Sequence, residues 1–215
     1  MIKNLPNILT VFRIILIIPV IVLLRGNYVN KIISFILFLI AGITDYIDGK
    51  IARKYNMLTS FGNFLDPLAD KLLVISLLIS FLSIDPSIFP YWMVWIIIVR
   101  EFVITLLRIE GISKNSEVKT LFIGKLKTGF QFFTISIIII FLILKDYLIE
   151  KKTIRAVEGL TDIRLDDALF YYFGDISYFI AYTPSVFLCI VVIFSLYSGI
   201  KYIVKNKHII FYKDE

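Results

Sequence analysis

The chain has 215 residues, of which 59% are hydrophobic, with a formal net charge of +6 and a mean hydropathy of +0.87. Its apolar residues come in blocks separated by charged ones, which excludes an ordinary soluble core and describes a polytopic helical membrane protein. No basic helix or aromatic platform occurs outside those blocks, which argues against nucleic acid as a partner.

In chain order the blocks predict six spans, at about 8–24, 32–50, 64–84, 91–109, 125–144 and 178–204. The expected fold is all-α: one integral membrane six-helix bundle formed by the single domain 1–215. The first block is a retained span and not a cleaved leader, because Arg13 interrupts it and no small-residue cleavage site follows. The second ends on Asp45 and Asp48, and the third opens on Asp66 and Asp70. The fourth carries Arg100, Glu101 and Arg108, the fifth Lys125 and Lys127, and the sixth Lys201. Residues 145–177 read as a long extracytoplasmic loop with no functional account.

Lys and Arg in the short connections set the orientation. Lys3, Arg53, Lys54, Lys114, Lys119, Lys205, Lys207 and Lys213 fall on one side. The other side holds Arg25, Lys31, Asp85 and the segment 145–175, where five Lys or Arg face seven Asp or Glu. The first side, with both termini, is therefore expected in the cytosol, where its basic rim meets anionic headgroups and phosphorylated substrates. Traced through the spans, the intramembrane charges share that cytosolic half, which predicts a polar active-site cavity open to the cytosol and an apolar outer half.

The most informative stretch runs from Asp45 to Asp70: DYIDGKIAR, eight residues, then GNFLDPLAD. Asp45 and Asp48 are three apart and Asp66 and Asp70 four apart, so on helices each pair projects from one face. A carboxylate at mid-membrane depth costs roughly 2.5 to 3.5 kcal/mol on insertion scales, so four unpaired ones ask for about 10 kcal/mol unless a cation compensates. Hard oxygen ligands without nearby His or Cys point to magnesium, manganese or calcium rather than zinc. Snorkelling to headgroups accounts for Arg13, Lys127 and Lys201 as well as a ligand does. Arg100 is followed by the largely apolar residues 102–107 and is expected to face inward. Glu101 and Arg108 are seven apart, so an ion pair bracing the fourth span is an alternative to a ligand role. Cys189 lies in an apolar span and is read as structural, and His208 as a solvated residue of the tail.

The two segments carry D-x2-D-G-x2-A-R-x8-G-x3-D-x3-D without gap or substitution, and this resembles the signature of the CDP-alcohol phosphotransferases. NLPNILTVFR at 4–13, VREFVITLLR at 99–108, GKLKT at 124–128 and SGIKY at 198–202 are similar to one branch, the bacterial phosphatidylglycerophosphate synthases. The resemblance implies two divalent ions, Mg2+ or Mn2+, with Asp45, Asp48 and Asp66 on the first and Asp45, Asp66 and Asp70 on the second. It gives Asp70 the further role of catalytic base. It places CDP-diacylglycerol against Gly49, Ala52, Arg53 and Thr59, with Asn7 and Thr10 as further contacts, and the phosphate of the acceptor against Arg100, Arg108, Lys125 and Tyr202. The implied reaction moves the phosphatidyl group from CDP-diacylglycerol to sn-glycerol 3-phosphate, giving phosphatidylglycerophosphate and CMP, in a homodimer within the lipids of the bacterial cytoplasmic membrane. The residues agree independently: glycine at 49 permits close approach of a ligand to the helix, and a basic trio suits a phosphate. Other readings are a sibling enzyme that uses phosphatidylglycerol or an inositol phosphate, a cation transporter or channel, and a non-catalytic scaffold. The one-sided placement of the acids and the lack of a visible inverted repeat weigh against transport.

Overall fold

The computed structural model describes the backbone of residues 5–54, 60–113, 122–157 and 163–206, and side chains over 8–45, 68–69, 71–107, 109–110, 127–150 and 182–206. Among the described residues the chain is helical, with no strand. The helices are α1 (Leu5–Leu24), α2 (Tyr28–Lys54), α3 (Ser60–Ile84), α4 (Tyr91–Ser113), α5 (Phe122–Val157) and α6 (Ile163–Lys205). By length and composition, the stretches Tyr28–Asp45, Lys127–Glu150 and Tyr182–Lys205 suffice to cross a membrane, and Ile8–Leu24 and Lys71–Ile84 are shorter apolar stretches.

Local chemistry sets the helix limits. After α1 the chain turns at Arg25 and Gly26, and the Asn27 side-chain oxygen accepts the Asn30 N–H at 3.0 Å, an N-cap that starts α2. After α3, Asp85 accepts the Ser87 N–H at 3.2 Å, and Pro90 precedes α4, where its missing N–H costs nothing. Packing then joins α1 to α2 and α3, α5 to α2 and α6, and α4 to α3 and α6. The core holds Val20, Leu24, Phe38, Leu77, Phe81 and Ile138, all essentially inaccessible. Phe132 of α5 stacks on Phe38 of α2 with centroids 4.4 Å apart, and a Cβ on Gly42 would lie 2.3 Å from the Phe132 ring, so this glycine is what allows the close approach.

Residues 145–177, expected as a loop, are helical over 145–157 and 163–177. The segment contains no proline, and its glycines stand only at 159 and 174. Tertiary contacts hold the continuation of α5 in place: Lys31 of α2 pairs with Asp146, the Tyr28 and Tyr147 rings meet edge to face at 5.6 Å, and Lys145 reaches Asp85 at 2.6 Å. These contacts lie at the end of the bundle away from the aspartates of α2. Burial raises the Asp85 carboxyl, but hydrogen bonds from Lys145 and Ser87 and the Lys145 charge outweigh it and leave it below its ordinary 3.8. That contribution to stability is present above pH 3.8 and is lost as pH falls through the lowered folded value. Lys31 is buried, so removing its partner is the more damaging change. Asp146→Ala is expected to cost about 3 kcal/mol, whereas the Lys31→Met, Asp146→Leu double variant stays near wild type in a thermal melt.

Candidate functional site

The backbone places the aspartate motif as its spacing predicts: Asp45 and Asp48 lie in the last turns of α2, Asp66 and Asp70 in the first turns of α3, and both helices pack on α1. Asp45 is the one member of the four with a described side chain. The side chains of Asp48, Asp66, Asp70, Ala52, Arg53, Arg108, Lys125 and Asn7, the surroundings of Gly49, and all of Thr59 lie outside the described residues.

Arg13 projects inward from α1. It is 1% exposed, the largest fully buried side chain among the described residues, and its guanidinium pairs with the Asp45 carboxylate. Snorkelling is therefore ruled out for Arg13, and Asp45 is not an unpaired charge: part of the compensation assigned to a cation comes from α1. The carboxylate is 46% exposed and is engaged through Oδ1. A carboxylate has two oxygens and about four lone-pair sites, so this pair is compatible with cation ligation through Oδ2. Thr10, one turn before Arg13, is also buried.

A second charged cluster joins α4, α5 and α6. Arg100 faces inward as expected, its side chain 12% exposed. Its Nη1 donates to Glu101 Oε1 at 3.1 Å, and its Nη2 donates to Ser198 Oγ at 3.1 Å. Lys127, buried rather than snorkelling, forms an ion pair with the same Glu101 oxygen. The described partners of Glu101 are thus Arg100 and Lys127; the Arg108 brace that spacing suggested falls on a side chain outside the described residues. Lys201, in contrast, is exposed and sits over the Tyr197 ring at 5.8 Å, which fits a snorkelling residue. Between the two clusters, Lys71 of α3 donates to Thr105 of α4, whose hydroxyl donates to the Glu101 carbonyl at 2.6 Å. This brace lies one residue after Asp70.

Beside these charges runs an uncharged polar stripe, of which sequence reasoning singled out Tyr202 and the SGIKY stretch but missed Gln131, Thr134 and Ser195. On α5, Gln131 and Thr134 follow Lys127 at helical spacing and are buried, and on α6 so are Ser195, Ser198 and Tyr202, with Asn206 buried just past its end. Among the described residues, Gln131 Nε2, Thr134 Oγ1, Ser195 Oγ and the Tyr202 hydroxyl have no hydrogen-bond partner. A cavity of about 410 Å³ lies between α4 and α6, lined by Trp95, Val99, Arg100, Val103, Leu196 and Gly199 among others. Apart from Arg100 its walls are apolar, so it is distinct from the polar stripe.

The acids of α2 and α3 and the bases of α4 and α5 offer the two halves of a site for an anionic substrate: hard oxygen donors for divalent cations, and guanidinium and ammonium groups for phosphate. Comparison with known proteins agrees. The CDP-alcohol phosphatidyltransferase family model matches residues 3–161, a stretch that contains the whole aspartate motif and the α4 and α5 bases but stops before α6. A Bacillus subtilis (strain 168) protein named CDP-diacylglycerol–glycerol-3-phosphate 3-phosphatidyltransferase is 39% identical over 150 residues, covering 64% of this chain and 77% of that protein. A protein of the same name from Rickettsia typhi is 43% identical over 145 residues, with 64% and 77% covered. One from Salmonella choleraesuis is 38% identical over 134 residues, with 60% and 72% covered. On the aspartate motif, its placement on α2 and α3 and a match over most of its length, the chain belongs to the CDP-alcohol phosphatidyltransferase family.

Proposed function

We infer that the protein transfers the phosphatidyl group from CDP-diacylglycerol to sn-glycerol 3-phosphate, releasing CMP. The observation that carries this reading is the gapless aspartate motif at the junction of α2 and α3, in a chain whose relatives are named for that reaction. The acceptor hydroxyl oxygen attacks the phosphatidyl phosphorus, the bond from phosphorus to the CMP oxygen breaks, and the hydroxyl proton passes to a carboxylate. Asp70 is the assigned base.

Asp45, Asp48, Asp66 and Asp70 form an all-oxygen donor set that fits Mg2+ or Mn2+, with the first three on one ion and Asp45, Asp66 and Asp70 on the other. Bound divalent cations supply charge neutralisation on the pyrophosphate and lower the pKa of a coordinated hydroxyl. On the donor side, Gly49 and Ala52 allow the nucleotide close to the α2 backbone, and Arg53, Thr59, Asn7 and Thr10 contact the CDP group. Buried Arg13 holds Asp45 in orientation from α1. On the acceptor side, Arg100, Arg108, Lys125 and Tyr202 receive the phosphate, which an acceptor without one would not require. Six crossings, cytosolic termini, a cytosol-facing cavity and a homodimer complete the reading.

Substituting the base separates chemistry from binding. Asp70→Asn is expected to lower kcat by about 100-fold or more while CDP-diacylglycerol binding is retained, and steady-state kinetics beside a direct binding assay check it. The acceptor is tested with purified protein offered glycerol 3-phosphate, phosphatidylglycerol and an inositol phosphate. Glycerol 3-phosphate is expected to be used preferentially, and preference for either of the others would assign the sibling activity.

A further inference from the structure

We propose that Ser198, with its neighbour Gly199, is a positioning residue for the acceptor phosphate: α6 fixes the plane of the Arg100 guanidinium. The proposal rests on the acceptor reading above and adds to it a pair of residues on a helix that the family match does not reach. Arg100 reaches its position from α4 on a stem with several rotatable bonds, and a guanidinium grips a phosphate through two parallel N–H donors only when its plane is set. The structure sets it from two sides. Glu101 accepts from Nη1 at 3.1 Å, and Ser198 accepts from Nη2 at 3.1 Å. The Ser198 contact comes from a residue 98 positions away that is itself 2% exposed, so it is a tertiary constraint in a part-buried setting.

Gly199 supplies the third constraint. A Cβ there would lie 3.2 Å from Arg100 Nε and 3.3 Å from its Cγ, so the stem rests against the α6 backbone where other residues would displace it by a few tenths of an ångström. Serine and glycine together thus give a hydroxyl to aim the head and a gap to seat the stem. Glu101 also holds Lys127, so the same carboxylate aligns the bases of α4 and α5 while leaving the trio with a net positive charge. Sequence marked these two residues only as the start of the SGIKY stretch; the fold alone brings them to Arg100.

The test uses the purified full-length chain with CDP-diacylglycerol and glycerol 3-phosphate. Ser198→Ala is expected to raise KM for glycerol 3-phosphate by about 10-fold, the lower end for a hydrogen bond to a charged group, with kcat and KM for CDP-diacylglycerol within about two-fold. Gly199→Ala is expected to raise the same KM by a smaller factor. In an Arg100→Ala background, Ser198→Ala is expected to change kcat/KM for glycerol 3-phosphate by less than about two-fold, because the group it positions is gone. An unchanged acceptor KM in Ser198→Ala overturns the proposal. So does an equal rise in both KM values with a lowered melting temperature, or a full penalty that persists without Arg100. Failure of the acceptor reading itself shows separately, as wild-type protein that does not use glycerol 3-phosphate.

Discussion

Asp66→Asn is expected to abolish phosphatidyl transfer while leaving the protein folded, and excess chelator is expected to do the same to the wild type. Asp66, like Asp45, is assigned to both cations, so losing it weakens both at once. Cation stabilisation of phosphoryl transfer contributes several kcal/mol, and about 4 kcal/mol already corresponds to roughly 10³-fold in rate. The structure sharpens the argument. Arg13 offsets part of the Asp45 charge from within the bundle but engages only Oδ1, so the other acids carry most of the charge left for a cation to compensate. CMP release measured against chelator concentration, beside a melting curve of the Asp66→Asn protein, checks it. Undiminished turnover in excess chelator would refute a cation-dependent mechanism.

Arg100→Ala is expected to raise KM for glycerol 3-phosphate by about 10- to 150-fold and leave KM for CDP-diacylglycerol nearly unchanged. The range corresponds to a charge-assisted contact of about 1.5 to 3 kcal/mol. Arg100 also bridges Glu101 to Ser198 and so links α4 to α6, which gives a competing outcome. If bracing were its main role, the variant would melt lower and lose activity toward both substrates alike. Measuring both KM values with the melting temperature separates the two. Glu101 and Lys127 remain paired in the variant, so the α4 to α5 link persists and the protein is expected to fold.

Charge spacing made much of this architecture legible. Aspartates three and four apart on either side of a short break could be assigned to two helix ends, and α2 and α3 carry them there. Facing was less legible. Arg13, Lys127 and Lys201 all stand near helix ends, where a long stem reaches either headgroups or the interior, and only packing decides: the first two are buried and the third is exposed. Glu101 illustrates a related limit, since periodicity pairs it with Arg108 on its own helix but cannot see Lys127 arriving from α5. The stripe of Gln131, Thr134 and Ser195 escaped because uncharged polar residues are common in apolar helices and carry no sign of their neighbours. The continuation of α5 to Val157 escaped for another reason: its charged residues look like a loop until Lys31 is seen to hold Asp146 across 115 positions.

The most direct test of the central claim is to count products. Purified protein given CDP-diacylglycerol, glycerol 3-phosphate and Mg2+ is expected to release one CMP for each phosphatidylglycerophosphate formed, with CMP release falling to background when glycerol 3-phosphate is withheld. CMP release that does not depend on glycerol 3-phosphate, or cation flux into proteoliposomes without any CMP, would contradict the account.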